Sequence, residues 1–189
     1  MFSLLRPSPQ RIGRFLDTAR ELPLSYAPVG LAQRADHGFS VDEHVAVVGS
    51  GGAAFTRAAA ALAEWRHFEV GWVELFPKRA SIAPGTVVAV LARHVGFWSL
   101  NGCRIVYAIG TPTGPEFGFA YGTLTDHAES GEEIFQITRS PETGEISYRA
   151  RAVSRQRAAL ARLGSPVARA LQRRFRRDSA RALARAIAG

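Results

Sequence analysis

Residues 86–109 read TVVAVLARHVGFWSLNGCRIVYAI, and this stretch decides the fold. Its β-branched and aromatic residues predict strands over Thr86–Arg93, Val95–Leu100 and Cys103–Ile109. Between the last two lies Asn101-Gly102, a dipeptide typical of a two-residue hairpin turn. Strands joined by such short connections must pair antiparallel, because parallel neighbours need a crossover of a dozen or more residues. The stretch therefore predicts an antiparallel sheet.

Working outward, the same alternation and turn signals predict further strands on both sides of this stretch. We place them at Val41–Val48, Val70–Phe76, Glu116–Leu124, Glu132–Arg139 and Glu145–Val153. Ser8-Pro9 is typical of a helix start, since the hydroxyl caps the first turn and proline suits its first position. That helix should end before Pro23, and a second helix should follow Gly49–Gly52 and end near His67.

The C-terminal region predicts one long amphipathic helix from Pro166 to about Ala188. Apolar residues occupy one half of its circumference, with Leu171 and Phe175 in the middle of the stripe, so both should be largely buried. The other half carries Arg169, Arg173, Arg174, Arg176, Arg177, Arg181 and Arg185. We therefore predict an α+β fold in which a curved antiparallel sheet of five to seven strands wraps on this helix. One or two helices should lie near the N-terminus.

Length and composition limit the classes of protein that need considering. A chain of 189 residues with 47% hydrophobic residues can bury a core and predicts a single domain over residues 1–189. Its one cysteine, Cys103, excludes an intrachain disulfide framework and a multi-cysteine zinc site. Apolar runs are too short for a membrane span, and Met1–Leu5 is too short for a signal-peptide core. We expect a soluble, cytoplasmic protein.

The net charge of +8 is concentrated at one end of the chain. From residue 151 onward there are eleven arginines and one acid, whereas the first 150 residues hold 13 basic and 15 acidic side chains. A basic C-terminal segment on a nearly neutral body suggests an anionic partner, either nucleic acid or a membrane surface. The alternative is a solvated polar helix face that makes only weak, non-specific contacts with polyanions.

Gly49-Ser50-Gly51-Gly52-Ala53-Ala54 follows a predicted strand and opens a predicted helix, as in a dinucleotide-binding turn. Glu74 follows the glycine turn by about 20 to 25 residues, which is the spacing expected of an acid that binds the ribose of a dinucleotide. However, such a site needs further parallel strand–helix units, and hairpins follow residue 76. We expect the turn to join strand and helix without holding a nucleotide cofactor.

The segment from His127 to Glu133 brings together a histidine and three carboxylates, among them Glu129 and Glu132. Imidazole and carboxylate groups can bind a divalent metal or transfer protons. Their spacing matches no metal motif, so a polar hairpin loop is the preferred interpretation. Cys103 lies in a predicted strand and is expected to act as a small buried hydrophobe. We predict no metal site, no cofactor and no catalytic residue.

The strand Phe117–Gly122 presents aromatic side chains to one face and only glycine and alanine to the other. The bare face admits close approach of a backbone, such as the long helix, or of a ligand. A pocket beneath that helix is the functional alternative, with Arg104 and Arg149 as polar anchors. Its predicted lining is Trp72, Trp98, Tyr107, Phe119, Tyr121 and Phe135.

Several motifs resemble an uncharacterised family of bacterial and plant proteins known only as a domain of unknown function. The resemblance covers residue 25 to the end and rests most on Gly118-Phe119-Ala120-Tyr121-Gly122-Thr123-Leu124 with the following His127-x-Glu129-x-Gly131-Glu132-Glu133. Further matches are Phe55-x-Arg57-Ala58-Ala59-x-x-Leu62-x-x-Trp65-Arg66, Cys103–Tyr107, Ser154-Arg155 and Leu160–Gly164. Asp126 and Ala128 depart from the glycine and proline that the family tends to have. The element order also resembles the START-like helix-grip superfamily, which implies small hydrophobic ligands.

These features support three hypotheses about function. The first is a START-like domain that binds a hydrophobic small molecule or lipid between the sheet and the C-terminal helix. The second is an adaptor for nucleic acid or anionic membranes that acts through the arginine face. The third is a nucleotide-dependent oxidoreductase that uses the turn at Gly49–Gly52. Binding is expected rather than catalysis, and the ligand and the oligomeric state stay open.

Overall fold

A computed structural model describes residues 1–34, 38–156 and 165–188 of the chain. Leu160–Gly164, one of the stretches that carries the family resemblance, lies outside these residues. Among the described helices, none has both the length and the apolar character needed to cross a membrane.

A continuous antiparallel sheet forms the centre of the fold. Its long strands follow the order β2-β8-β7-β6-β5-β4-β3, and the short β1 pairs with β5 beside this path. The strands are β1 Phe2–Ser3, β2 Ser40–Ser50, β3 Val73–Phe76, β4 Val87–Arg93, β5 Trp98–Gly110, β6 Glu116–Thr123, β7 Glu129–Arg139 and β8 Glu145–Gln156. Every pair of neighbouring strands is antiparallel, as the short connections predict.

Within the described residues, three α-helices and two short 3₁₀ turns cover the two faces of the sheet. The helices are α1 Pro9–Glu21, α2 Gly52–Ala63 and α3 Ser165–Ala188, and the 3₁₀ turns are Leu31–Gln33 and Arg66–Phe68. The Ser8 hydroxyl caps α1 by accepting a hydrogen bond from the Arg11 amide at 3.3 Å, as predicted. Helices α2 and α3 pack on one face, which we call the inner face. On the other, outer face lie α1 and residues 24–33.

The predicted α+β fold, a curved antiparallel sheet with a long C-terminal helix and helices near the N-terminus, is confirmed. The predicted hairpin at Asn101-Gly102 is wrong, because β5 runs straight through it. The turn falls instead at residues 94–97, where Gly96 has a φ of 82°. A Cβ atom on Gly102 would lie 3.0 Å from Asp126 Oδ1 and 3.2 Å from Leu124 Cδ1. Glycine is therefore needed at residue 102 for close packing and not for a turn.

The burial of α3 also differs in part from the prediction. Leu171 and Phe175 are only half-buried, whereas Ser179, Leu183 and Ile187 are at most 4% exposed. The C-terminal half of the expected apolar stripe is therefore buried as predicted, and the difference lies in its N-terminal half. Arg176, which the sequence places on the solvated half, points inward and is 2% exposed.

Candidate functional site

A cleft of about 580 Å³ opens where the β4–β5 turn meets the N-terminal half of α3. Its volume lies in the range of pockets that hold small molecules. Two of the predicted pocket residues, Trp72 and Trp98, lie here. The rest of the apolar lining consists of Leu4, Val95, Phe97 and Leu171. The two tryptophans thus line one cleft from different sides, because Trp72 packs with the inner-face cluster and Trp98 with the outer-face cluster around Leu100.

Two arginines supply the positive charge of this cleft. Arg93 and Arg174 both line it, and no acidic residue is among its described lining. The Arg174 guanidinium lies 5.0 Å from the ring centroid of Trp72, and the Trp72 indole donates a hydrogen bond to Asp178 at 3.2 Å. These contacts hold an aromatic wall in place beside a cation. Such a site suits an apolar molecule with an anionic end.

The space deeper between the sheet and the helices is filled by aromatic rings. Phe119 and Phe135 are fully buried there, with ring centroids 5.5 Å apart, and Tyr121 lies 5.3 Å from Phe135. The Tyr121 hydroxyl donates to Glu133 at 2.9 Å, and burial followed by the Glu133 charge raises the Tyr121 pKa well above its ordinary value. These three predicted residues belong to the packed inner face rather than to the cleft lining.

The other predicted lining residue and both predicted anchors belong to the outer face. Arg104 donates to the backbone carbonyls of Arg20 and Leu22 at 2.8 and 2.9 Å, next to the end of α1. Arg149 pairs with the exposed Glu43 at 2.6 Å. Tyr107 packs with the outer cluster around Tyr26 and Leu31. The sheet thus separates these side chains from the inner face, and they do not meet beneath α3.

Glu132 is a buried carboxylate that joins the outer face of the sheet to residues 26–32. Its oxygens accept hydrogen bonds from the hydroxyls of Tyr26 and Tyr107, both at 2.6 Å, and from the amides of Gly30 and Ala32 at 3.0 and 3.1 Å. Burial, followed by the hydrogen bond to Glu132, raises the pKa of both tyrosines far above the ordinary value. Glu132 is 2% exposed, so the predicted polar loop is wrong for this residue.

The bare face of β6 explains why residues 26–32 can approach so closely. A Cβ atom on Gly122 would overlap the Tyr26 hydroxyl and lie 2.9 Å from Leu24 Cδ2. The glycine and alanine face of Phe117–Gly122 is therefore covered by the N-terminal segment. The long helix, expected there, packs against the aromatic face instead.

Glu129 also differs from the expected loop, whereas His127 does lie in a connection between strands. Glu129 begins β7 and accepts two hydrogen bonds from the Gln172 amide of α3, both at 2.7 Å. Burial raises its pKa above the ordinary value. His127 lies in the short connection before β7, and its Nδ1 accepts from the Glu129 amide at 2.9 Å. Within the described part of the chain, no cluster of three or more His, Cys, Asp or Glu has the arrangement of a metal site.

A buried ionic cluster between α3 and the sheet was not predicted from the sequence. Arg176 Nη1 lies 2.7 Å from Asp42 on β2, and its Nε lies 3.4 Å from Glu133 on β7. Burial raises the Glu133 pKa, an effect that the Arg176 charge opposes. A signal was available, because Glu133 lies two residues before Phe135 and four before Ile137, so it shares their face of the strand and had to face the core. A buried acid needs a cationic or hydrogen-bonding partner.

His67 is a second polar side chain in the core that was not predicted from the sequence. It is 0% exposed, and neither ring nitrogen has a hydrogen-bond partner among the described residues. Its ring contacts Trp65, Phe68, Phe119, Phe135 and Tyr148. Burial lowers the pKa of His67 to about 3, so the ring is neutral near neutral pH.

Cys103 and the glycine turn are both engaged in packing or hydrogen bonds within the fold. Cys103 is 1% exposed, as expected of a small buried hydrophobe, and burial followed by the Glu133 charge raises its pKa well above the ordinary value, which disfavours the thiolate. At the turn, the Gly51 amide donates to the Gly144 carbonyl at 2.9 Å. Glu74, the proposed ribose acid, lies on β3 at the opposite edge of the sheet and pairs with Arg6 at 2.7 Å.

Comparison with solved structures finds proteins of the same fold. A hypothetical protein from Helicobacter pylori superposes with a TM-score of 0.54 at 9% identity over 84% of this chain and 93% of its own. Human STARD10 gives 0.51 at 12% identity, covering 96% of this chain and 81% of its own. Norcoclaurine synthase from Thalictrum flavum gives 0.50 at 10% identity, covering 82% and 97%. The expected START-like helix-grip fold is confirmed, and at these identities the likeness shows the fold alone.

Comparison of sequences identifies the family. The family model described as "Domain of unknown function (DUF1990)" matches residues 25–182. A UPF0548 protein from Dictyostelium discoideum is 32% identical over 99% of this chain and 96% of its own length. A UPF0548 protein from Deinococcus radiodurans is 34% identical over 98% of both chains. The chain therefore belongs to this family, the domain of unknown function DUF1990.

Proposed function

We propose that this protein binds a hydrophobic small molecule or lipid in the cleft between the β4–β5 turn and α3. The observation that carries the proposal is the composition of the lining, in which two tryptophans and Leu171 lie beside Arg93 and Arg174. Apolar walls stabilise a hydrocarbon or ring system, and the guanidinium groups stabilise an anionic end. The arginines of the cleft replace Arg104 and Arg149 as anchors.

The fold supports this proposal. Norcoclaurine synthase, one of the structural neighbours, was solved as a point mutant in complex with a transition-state analogue, so that protein of the same fold holds a small molecule. The proposal concerns binding, and no reaction is assigned. We also propose a cytoplasmic location, which the count of one cysteine supports, because secreted proteins commonly carry intrachain disulfides and this sequence can form none.

The test combines native mass spectrometry with a titration. Freshly purified protein is examined for a co-purifying small molecule, and binding of the fluorescent fatty acid cis-parinaric acid is then measured. Leu171→Trp should fill the cleft and weaken probe binding at least about tenfold. Ala170→Trp is the matched control, because Ala170 is exposed on the same helix and does not line the cleft. Its affinity should equal that of the parent.

The charge contribution is tested in the same titration. Arg174→Gln should weaken binding of the fatty-acid anion by about threefold to tenfold, whereas Arg173→Gln, an exposed neighbour outside the cleft, should not. If the probe does not bind, or if it binds the parent and Leu171→Trp equally well, the cleft is not the site and the proposal is wrong.

A further inference from the structure

Large apolar side chains cluster on the surface at one end of the molecule. We call Phe2, Leu4, Leu5, Val95 and Phe97 the apolar tip. Val95 is 99% exposed, Leu4 is 82% exposed and Leu5 is 79% exposed. Single exposed hydrophobic residues are common on soluble proteins, but a contiguous group of this size marks an interaction site.

Pairing of β1 with β5 holds the apolar tip together. Phe2 is the partner of Ser99 in that pairing, and its ring lies 5.9 Å from the ring of Phe97. Phe2, Leu4 and Phe97 line one shallow depression, and Leu4, Val95 and Phe97 also form part of the large cleft. Two segments that are far apart in sequence thus present one apolar surface beside the mouth of the cleft.

The charges beside the apolar tip are predominantly positive. Arg93 and Arg174 line the adjoining cleft, and Arg173 is exposed next to Arg174 on α3. The two acids nearest to them along the described elements are already paired, Glu74 with Arg6 and Asp178 with Arg174. Asp178 therefore offsets the charge of Arg174 at 3.3 Å, and among the described residues the arginines beside the tip that have no acidic partner are Arg93 and Arg173.

We propose that the apolar tip docks this protein on the surface of a lipid bilayer with anionic headgroups. Exposed leucine, valine and phenylalanine side chains insert at the boundary between headgroups and acyl chains, and the arginines contact lipid phosphates. A nucleic acid fits this surface less well, because its most exposed residues, Leu4, Leu5 and Val95, offer no ring on which a base can stack. This inference goes beyond the proposed function, since docking needs no occupant in the cleft.

The experiment is co-sedimentation with vesicles, made either of phosphatidylcholine alone or of phosphatidylcholine and phosphatidylglycerol in equal amounts. The parent should sediment with the mixed vesicles and much less with phosphatidylcholine alone. Leu4→Ser combined with Val95→Ser should weaken binding to mixed vesicles at least about tenfold. The matched control is Val45→Ser combined with Val47→Ser, which removes two exposed valines from β2 at the far edge of the sheet. It should bind as the parent does.

Equal binding of the tip variant and the parent would overturn the proposal. So would tight binding of duplex DNA that falls with Arg93→Glu and is unchanged by the tip variant, because the partner would then be a nucleic acid. Self-association in sedimentation velocity that the tip variant abolishes would show that a second copy covers the surface. The cis-parinaric acid titration, done without vesicles, is a separate readout, so failure of docking and failure of cleft binding are distinguishable.

Discussion

The guanidinium of Arg176 lies 2.7 Å from the carboxylate of Asp42, in an ion pair that joins the C-terminal helix to the edge strand β2. Arg176 is 2% exposed and also lies 3.4 Å from Glu133. A buried cation between two acids does not by itself stabilise a fold, because removing it from water costs free energy. Loss of one partner, however, leaves the others buried without compensation.

We therefore expect Arg176→Met to lower the free energy of unfolding by about 3–5 kcal/mol. Arg177→Met is the control, since Arg177 is the exposed next residue and should change stability by less than about 1 kcal/mol. Urea unfolding measured by circular dichroism compares the two. Similar stabilities for both variants would show that the ionic cluster does not hold α3 on the sheet.

Of the polar groups on the outer face, the Glu132 carboxylate should be the one whose replacement lowers the free energy of unfolding most. In Glu132→Gln, the amide nitrogen would face hydrogen-bond donors, because all four partners of Glu132 donate. We expect a loss of about 3 kcal/mol or more, and about 1.5–3 kcal/mol for Tyr107→Phe, which removes one donor. Asp17→Asn, at the exposed ion pair with Arg20, should cost at most about 1 kcal/mol. Chemical unfolding of the three variants tests this order.

His67 should make stability depend on pH. Its pKa is lowered from 6.5 to about 3 in the folded protein, so the unfolded chain takes up the proton first as the pH falls. The contribution of neutral His67 is complete above pH 6.5 and is lost as the pH falls towards 3. At about pH 5 the loss should be about 2 kcal/mol.

His67→Leu should remove this contribution. The unfolding free energy of the parent minus that of the variant should therefore decrease by about 2 kcal/mol from neutral pH to about pH 5. Urea titrations at both pH values give the difference directly. A difference that stays constant with pH would mean that the folded protein accepts the proton as readily as the unfolded chain.

Replacement by alanine should change the stability of the protein in opposite directions at Gly122 and Gly13. In Gly122→Ala, the new Cβ would overlap Tyr26, so we expect a loss of about 1–3 kcal/mol. Gly13 lies in α1, and a Cβ atom added to it would have no atom within 4 Å, so Gly13→Ala should raise stability by about 0.5–1 kcal/mol. Thermal unfolding followed by circular dichroism separates these outcomes, and stabilisation by both changes would contradict the packing at Gly122.

The turn at Gly49–Gly52 should not bind a nucleotide cofactor. Its strand, β2, pairs only with β8 among the described strands, and the Gly51 amide is used by Gly144. A titration with NADH, followed by the fluorescence of the cofactor, should show no saturation. Micromolar binding that is abolished by Gly51→Asp would contradict this prediction.

Most of the fold could be predicted because its signals are local. Alternation marks the strands, and Ser8-Pro9 marks the start of α1. Asn101-Gly102 led to a wrong prediction because the same dipeptide can occupy a hairpin turn or a strand position that other side chains approach closely. Only the positions of Leu124 and Asp126 in the folded protein distinguish the two cases. No local pattern contains that information.

The candidate site was harder to predict, because it depends on which face each side chain occupies. Arg104 and Arg149 alternate with buried residues of the inner face, so their outward direction could have been inferred. Tyr107 could not, because a register shift between Ile105 and Tyr107 makes it the partner of Ala120 on the outer face. Strict alternation along β5 would have placed Tyr107 on the inner face of the sheet, with Cys103 and Ile105. Leu4 reaches the cleft only through the pairing of β1 with β5, which no local pattern in the sequence predicts.

The pairing of β2 with β8 also determines when the chain can complete its fold during synthesis. Residues 40–50 find their strand partners only at residues 145–154, between 95 and 114 positions later. While the ribosome makes the intervening chain, β2 has unpaired backbone groups and exposed valines, a combination that favours aggregation. We therefore expect truncations that end before residue 145 to depend on chaperones and to accumulate as insoluble protein.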